Sequence, residues 1–177
     1  TDEWPRRLQG LSLTNVRLTA QLGNKVLYTD MGEMLFTHFG FSGPLMLTLS
    51  SLLSSVDLRQ VDAFIDLKPA VDSGQLSARL QKTLDENGRK QLSTILPQFM
   101  PMRLAMEFPA LCGMDGSKQC SQLTRHEREA LVSAMKRIPL RLSGFRPLSE
   151  AVVTRGGVNV KDVNPSTMAS RRVDGLY

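Results

Sequence analysis

The chain has 177 residues, of which 41% are hydrophobic and 22% are charged, and its formal net charge at pH 7 is +5. This length allows one domain or two small ones with a real hydrophobic core, and the composition is that of an ordinary soluble globular protein. Because no apolar run reaches the length of a membrane span and the first residues lack the layout of a secretory signal, we expect a cytoplasmic protein without a membrane partner.

The first part of the chain, residues 1–70, is predicted to be the β-rich part of a barrel-like domain. Apolar and polar residues alternate along residues 11–21, which is typical of a strand with one buried face. Gly23 and Asn24 form a turn signal, so the following residues are predicted to return as a hairpin partner. The strands are predicted at residues 11–21, 25–29, 33–37 and 61–67.

The second part, residues 71–139, is predicted to be a small all-α subdomain, because the spacing of apolar residues changes to the helical period. Leu76, Leu80 and Leu84 would line one face of a helix that begins at Asp72 or Ser73. The stretch from Thr124 to Glu127 has the form of a capping box, and Pro139 is predicted to end the helix that this box opens. Helices are predicted at residues 43–53 in the first part and at 73–87, 90–96, 101–109 and 125–138 here.

The last part, residues 140–177, is predicted to return to strands at 141–145 and 151–154 and then to re-enter another domain. The predicted fold class is therefore α+β. It consists of a β unit, a helical subdomain inserted into that unit, and a returning β segment.

Two ordered motifs resemble the signatures of a bacterial flavoprotein family. Residues 32–45 read GEMLFTHFGFSGPL, residues 153–158 read VTRGGV, and residues 167–177 read TMASRRVDGLY. The family comprises the FAD-dependent oxidoreductases known as YhiN-like, BaiN-like or aminoacetone-oxidase-like. The resemblance implies a barrel-like β domain that is interrupted by an all-α subdomain and inserted between the two halves of a split Rossmann FAD domain.

Such families bind the FAD pyrophosphate at a helix N-terminus that follows a G-x-G-x-x-G turn. This sequence contains no G-x-G-x-x-G motif. We therefore expect this chain to be the insert region of the enzyme, a fragment that lacks the Rossmann FAD domain. By itself it is expected to be inactive and to bind no FAD. Its expected partner is the Rossmann FAD domain of the same polypeptide. For the parent enzyme, the resemblance implies FAD as cofactor and NAD(P)H as electron donor.

The first candidate site is the segment that contains Thr37, His38, Ser42 and Gly43. It places an imidazole at a strand end, and Ser42 is predicted to cap the following helix, whose free N–H groups would receive an anion or a flavin edge. His38 is the candidate catalytic residue, and the other three are candidate cofactor contacts in the full-length enzyme. The alternative is a capped helix with a hydrogen-bonded histidine packed at a domain joint.

The second candidate site consists of Thr154, Arg155, Gly156 and Gly157. The resemblance implies that this turn lies against the flavin ring or the substrate pocket, with Arg155 adding positive charge that favours reduced, anionic flavin. Hydride chemistry itself belongs to the cofactor, which the protein orients and tunes. The alternative is a plain hairpin turn, in which the two glycines only supply positive φ.

A third hypothesis concerns RNA. Residues 72–141 contain eleven Lys and Arg against seven Asp and Glu, and such an excess attracts phosphates. Some members of the family are thought to make dihydrouridine in ribosomal RNA, which implies a basic docking module with Arg89, Lys90, Arg125 and Arg128 as candidate RNA contacts. The alternatives are a solvated helix face and a purely structural insert that shields the flavin.

The cysteines and histidines do not indicate a metal site. Cys112 and Cys120 are expected to be free thiols in a reducing compartment. His38 and His126 are the only histidines, and they do not form a ligand-spaced cluster with the cysteines, so a zinc site is not expected.

Overall fold

The computed structural model describes residues 3–151 and 156–177. They belong to two compact units, Thr1–Phe145 and Arg146–Tyr177. The first unit contains an antiparallel sheet with the strand order β3-β2-β1-β4-β5. Its strands are β1 (Ser12–Leu22), β2 (Lys25–Thr37), β3 (Gly40–Ser42), β4 (Val61–Asp66) and β5 (Ile138–Leu140), and its helices are α1 (Trp4–Arg7), α2 (Pro44–Leu52), α3 (Ser73–Glu86), α4 (Leu92–Ile95), α5 (Met102–Leu111) and α6 (Arg125–Lys136).

The predicted hairpin at the start of the chain is confirmed. Leu22 pairs with Lys25 across a turn in which Gly23 has a φ of +56°, a conformation that glycine adopts without strain. The register shifts between Leu13 and Val16, which marks a β-bulge. In a regular strand, two residues three positions apart would point to opposite faces of the sheet. The bulge allows both side chains to be buried in the core.

The separation of residues 25–29 and 33–37 into two strands was wrong, because β2 runs without interruption across the interval. Asp30, Met31 and Gly32 pair with Leu18, Arg17 and Val16 of β1. The continuous pairing keeps the backbone extended through Gly32. A Cβ at Gly32 would lie 3.3 Å from two side-chain atoms of Leu45, so the glycine lets α2 pack closely on the sheet.

The α+β class and the helical interruption are confirmed. Strands β4 and β5 are antiparallel neighbours, with Ile65 opposite Ile138, and α3 to α6 all lie between them in the sequence. The core side chains Leu76, Leu80 and Leu84 of α3 are buried as predicted, and α6 carries the predicted capping box. No helix in the described part of the chain is long and apolar enough to cross a bilayer.

Three helix boundaries differ from the prediction by two residues. Helix α4 begins at Leu92 rather than at Lys90, because Gln91 forms a bridge with Gln119 and is held in extended backbone. Helix α5 continues past Pro109, which lies in its last turn. Helix α6 ends at Lys136, before the position where Pro139 was expected to end it.

The returning strand also lies elsewhere. It is β5, whereas the predicted strand at residues 141–145 is irregular and largely exposed. Ile138 and Leu140 offer two buried apolar side chains to the sheet. Pro139 between them is tolerated because β5 is an edge strand, where a missing N–H breaks no ladder bond. The strand predicted at 151–154 falls largely outside the described residues.

A buried ion pair joins the last turn of α6 to the end of β4. Lys136 Nζ lies 2.7 Å from Asp66 Oδ2, and the two side chains are only 20% and 10% exposed. The same ammonium donates to the carbonyls of Lys68 and Val71, each at 2.8 Å, and Asp66 Oδ1 accepts the N–H of Lys68 at 2.8 Å. This network fixes the point at which the chain leaves the sheet and the point at which it returns.

The second unit has little regular structure. Its backbone forms a bridge between Val163 and Ser170, and Arg172 pairs with Asp162 at 3.0 Å. Several large apolar side chains are more than half exposed: Leu148, Val158, Val160, Met168, Val173, Leu176 and Tyr177.

Candidate functional site

The first candidate site lies on the hairpin between β2 and β3. Thr37 pairs with Gly40, so His38 and Phe39 form the tip of a tight turn. Both side chains are exposed, and their rings meet edge to face with a centroid distance of 5.0 Å. The turn therefore presents an imidazole and an aromatic ring together on the surface.

Beneath this tip, the hydroxyl of Thr37 is buried and has no hydrogen-bond partner among the described residues. A buried polar atom without a partner costs about 1–3 kcal/mol, and native proteins keep such atoms rarely. The Thr37 hydroxyl is therefore a donor beside β2 that no group in the described structure uses.

Ser42 does not cap α2, so that prediction was wrong. The N-cap residue is Gly43, and no side chain caps the helix. Gly43 has a φ of +93°, and a Cβ there would lie 3.0 Å from the Cα of Met34 and 3.1 Å from the N of Leu35. The helix start is thus pressed against the backbone of β2, where a serine-type cap has no room.

The uncapped start of α2 leaves backbone donors available. The first N–H groups of a helix have no intrahelical acceptor, and Pro44 has none to offer. The first backbone bond of this helix runs from the N–H of Leu47 to the carbonyl of Gly43 at 2.9 Å. The N–H groups of Leu45 and Met46 therefore remain as donors at the end of the β2–β3 hairpin.

A cluster of three aromatic residues supports the hairpin, and sequence reasoning missed it. Ring centroids lie 5.6 Å apart for Trp4 and Phe36, 5.5 Å for Phe36 and Phe41, and 6.5 Å for Trp4 and Phe41. Tilted and edge-on contacts of this kind add to the stabilisation from burial. The chain has a single tryptophan, Trp4. This residue could have indicated a buried aromatic cluster, because Trp side chains bury a large apolar area.

The second candidate site is only partly described. Thr154 and Arg155 lie outside the described residues. Gly156 and Gly157 have φ values of +128° and +103°, which confirms the positive φ expected of them, and no atom lies within 4 Å of a Cβ built on either. Both glycines are exposed within the second unit.

One of the candidate RNA contacts lines a groove of about 380 Å³ between α3 and the start of α6. Arg128 lines this groove, while Arg89 and Lys90 are exposed on the loop that follows α3. Arg125 points elsewhere, because its Nε is bound to Glu129 Oε1 at 2.7 Å. The structure therefore places Arg128 in the groove, leaves Arg89 and Lys90 exposed on the loop next to Gly88, and pairs Arg125 with a carboxylate.

Backbone pairing between two distant segments builds the groove. Residues 88–93 run beside residues 116–121, with hydrogen bonds of 2.9 Å from Ser121 N to Gly88 O and from Cys120 N to Lys90 O. The side chains of Gln81 and Asp85, one turn apart on α3, line the opposite wall. Sequence reasoning missed both, although their spacing on one helix face is typical of an interacting pair.

A charged network holds the start of α6 beside this groove. Lys118 Nζ contacts both carboxylate oxygens of Glu127, at 2.6 and 2.9 Å. Glu127 also accepts the backbone N–H of Thr124 at 2.8 Å and its hydroxyl at 2.9 Å. These bonds, first that from Lys118 and then those from Thr124, lower the pKa of Glu127 from 4.5 to about 2.

The lowered pKa predicts how acid acts on the start of α6. Because the pKa of Glu127 is lower in the folded than in the unfolded state, its stabilisation is complete above about pH 4.5 and is lost as the pH falls toward 2. We expect the free energy of unfolding of Glu127→Gln to depend less on pH between 4.5 and 2 than that of the unsubstituted protein. Urea denaturation at several pH values measures this, and equal pH dependence in both proteins would contradict it.

Cys112 and Cys120 are free thiols. Burial raises the pKa of Cys112 to about 11 and also raises that of Cys120. Thiols with raised pKa values are weak nucleophiles at neutral pH. In the described part of the chain, no three His, Cys, Asp or Glu side chains converge as a metal site would require.

The chain resembles several known proteins. Residues 1–153 match the family described as HI0933-like protein barrel and H2TH domain. It is 31% identical to the ribosomal RNA dihydrouridine synthase of Escherichia coli over 170 residues, which are 96% of this chain and 39% of the relative. It is 29% identical to the protein of the same name from Haemophilus influenzae over 177 residues, all of this chain and 41% of that protein.

A third relative has a different activity in its name. The chain is 27% identical to the 3-dehydro-bile acid delta(4,6)-reductase of Clostridium scindens over 166 residues, which are 93% of this chain and 41% of the relative. The chain thus spans about two fifths of the length of these curated relatives. The family match extends over most of the chain and includes both the sheet and the helical segment. The chain therefore belongs to the HI0933-like family, the YhiN/BaiN-like flavin-dependent proteins that the motifs at residues 32–45 and 153–177 indicated.

Proposed function

We propose that this chain is the part of an FAD-dependent oxidoreductase that forms one wall of the flavin and substrate site. The observation that carries the proposal is the β2–β3 hairpin. It presents His38 and Phe39 at its tip, above a buried Thr37 hydroxyl that lacks a partner in the described structure. Such a turn is suited to line a ligand site, because the aromatic cluster beneath it holds the backbone in place while the two rings at the tip stay exposed.

The donors available at this hairpin fit a flavin. The Thr37 hydroxyl and the N–H groups of Leu45 and Met46 would hold the polar edge of the ring, which carries carbonyl and nitrogen acceptors. FAD when bound would supply the hydride transfer, with NAD(P)H as its electron donor. His38 would hold or deliver a proton at the substrate, and Phe39 would exclude water from that side.

The exposed apolar side chains of the second unit support a partner within the same polypeptide. A unit of this size that leaves so many large apolar side chains uncovered has a surface typical of an interface. We propose that they pack on the FAD-binding part of the whole protein. Residues 1–177 by themselves would then be inactive and would purify without flavin.

The two histidines provide a matched experiment on the whole protein. We expect the whole protein to purify with flavin absorbance, and His38→Ala to lower the rate of substrate turnover on the order of 100- to 10,000-fold, the range in which acid–base groups contribute. His126→Ala, on the exposed face of α6, is the control and should change the rate less than about twofold. Steady-state kinetics with matched flavin content measures both.

Two outcomes would contradict the proposal. One is a whole protein that contains no flavin under any purification condition. The other is a His38→Ala variant with the turnover rate of the His126→Ala control, which would favour a purely structural insert that only shields the flavin.

A second candidate function, docking of ribosomal RNA, is favoured by the groove beside α6. Arg128 lies in it, and Arg89 and Lys90 are exposed on the loop that follows α3. Two of the relatives are named for an activity on ribosomal RNA. The two candidates are compatible, since the helical part would grip the RNA while the hairpin lines the reaction site. Binding of ribosomal RNA fragments that weakens steeply with salt concentration tests this candidate.

A further inference from the structure

The guanidinium of Arg128 is incompletely bound in the groove. Its Nη1 donates to the side-chain oxygen of Gln81, but its buried Nε has no acceptor among the described residues. No carboxylate in the described structure forms an ion pair with it, in contrast to Arg59 and Arg125, which pair with Asp57 and Glu129. A guanidinium that lines an open groove and has no ion-pair partner can hold an anion there, because Arg binds phosphate through its N–H groups.

The groove also contains one acceptor. Asp85 Oδ1 accepts the amide of Gln81 at 2.6 Å. Asp85 lines the same groove and forms no ion pair in the described part of the chain. A carboxylate near the arginine would repel a simple anion. A ligand with both a phosphate and a neighbouring hydroxyl satisfies the two groups together, since the hydroxyl donates to the carboxylate.

The remaining walls suit a sugar-phosphate unit. Leu84 and Leu123 contribute apolar surface, and Ser121 contributes a hydroxyl at the rim. Gly88 has no side chain to close the entrance, and a Cβ there would already lie 3.5 Å from the Cβ of Ser121. A groove of about 380 Å³ lies within the range of sites that hold small ligands.

We propose that this groove binds one ribonucleotide unit of RNA, with a phosphate on Arg128 and a ribose hydroxyl on Asp85. The inference rests on the RNA-docking function and gives that function a specific contact. The ribose 2′-hydroxyl is the group by which proteins distinguish RNA from DNA. Asp85 therefore confers a preference for RNA, and Arg128 confers affinity for either nucleic acid.

The test measures binding of single-stranded RNA and DNA oligonucleotides of the same sequence to the whole protein by fluorescence anisotropy. We expect Arg128→Gln to weaken binding of both about tenfold and to lower the slope of log K against log salt by about 1. We expect Asp85→Ala to reduce the ratio of RNA to DNA affinity, because it removes the acceptor of the ribose hydroxyl. DNA binding should not weaken, since the carboxylate only repels a phosphate. Arg59→Gln, an arginine already paired with Asp57, is the control and should change neither quantity.

A further variant separates binding from folding. Ser121→Glu places a carboxylate at the rim without removing any bond of Arg128, and it should weaken RNA binding even if Arg128→Gln folds poorly. RNA binding that Arg128→Gln and Ser121→Glu leave unchanged would overturn the groove assignment while RNA docking stands. No RNA binding by the unsubstituted protein would overturn both. A nucleoside monophosphate that binds the groove as tightly as the oligonucleotide would overturn the assignment to RNA.

Discussion

Replacement of Lys136 by Met is expected to lower the free energy of unfolding by about 3–5 kcal/mol, the cost of leaving one charge of a buried pair without its partner. Asp66 would keep only the N–H of Lys68, and the carbonyls of Lys68 and Val71 would lose the donor that now binds both. Urea denaturation of the whole protein measures the change. The expected loss is large because all of these groups lie at the joint between sheet and helices.

The control for this prediction is Lys82→Met. Lys82 lies 3.9 Å from Glu86 on the exposed face of α3, where both side chains are largely in solvent, so the substitution should cost less than about 0.5 kcal/mol. The double substitution of Lys136 by Met and Asp66 by Leu should recover part of the loss, because it removes both charges. If Lys136→Met were no more destabilising than Lys82→Met, the network would not hold the joint.

The predictable part of the fold is the part that local patterns determine. Leu76, Leu80 and Leu84 repeat at the helical period, and the Gly23–Asn24 turn connects two alternating segments, so each could be predicted from a short stretch. The bulge before Val16 and the continuity of β2 depend on pairing with a distant strand. From the neighbouring residues alone, Pro139 is likewise predicted to end a helix. Its actual place in an edge strand depends on the pairing of β5 with β4, which are far apart in the sequence.

The candidate site residues also differ in whether local sequence could predict them. The motif around His38 could be located from the sequence because its residues are adjacent along the chain. The groove could not, since Asp85, Ser121 and Arg128 come together only when residues 88–93 pair with residues 116–121. The cap predicted at Ser42 failed for a related reason, because the close approach of α2 to β2 is a long-range contact that allows only glycine at the next position.

Gly43→Ala is expected to lower the free energy of unfolding by about 3 kcal/mol or more. The strained backbone alone costs about 1–3 kcal/mol for a residue with a Cβ, and the new methyl group would collide with the Cα of Met34 and the N of Leu35. Neither neighbour can move aside as a flexible side chain would, since both are backbone atoms of a strand paired on each side. Denaturant titration of the whole protein measures the loss.

Gly40→Ala is the matched control, because it separates strain from collision. Gly40 also has positive φ, at +136°, but no atom lies within 4 Å of a Cβ built there. It should therefore show the strain alone, about 1–3 kcal/mol, and be clearly milder than Gly43→Ala. Equal losses would mean that contact between α2 and β2 adds nothing at Gly43. A larger loss at Gly43 would mean that this contact sets the position of the α2 N-terminus, and with it the donors of Leu45 and Met46 beside the hairpin that carries His38.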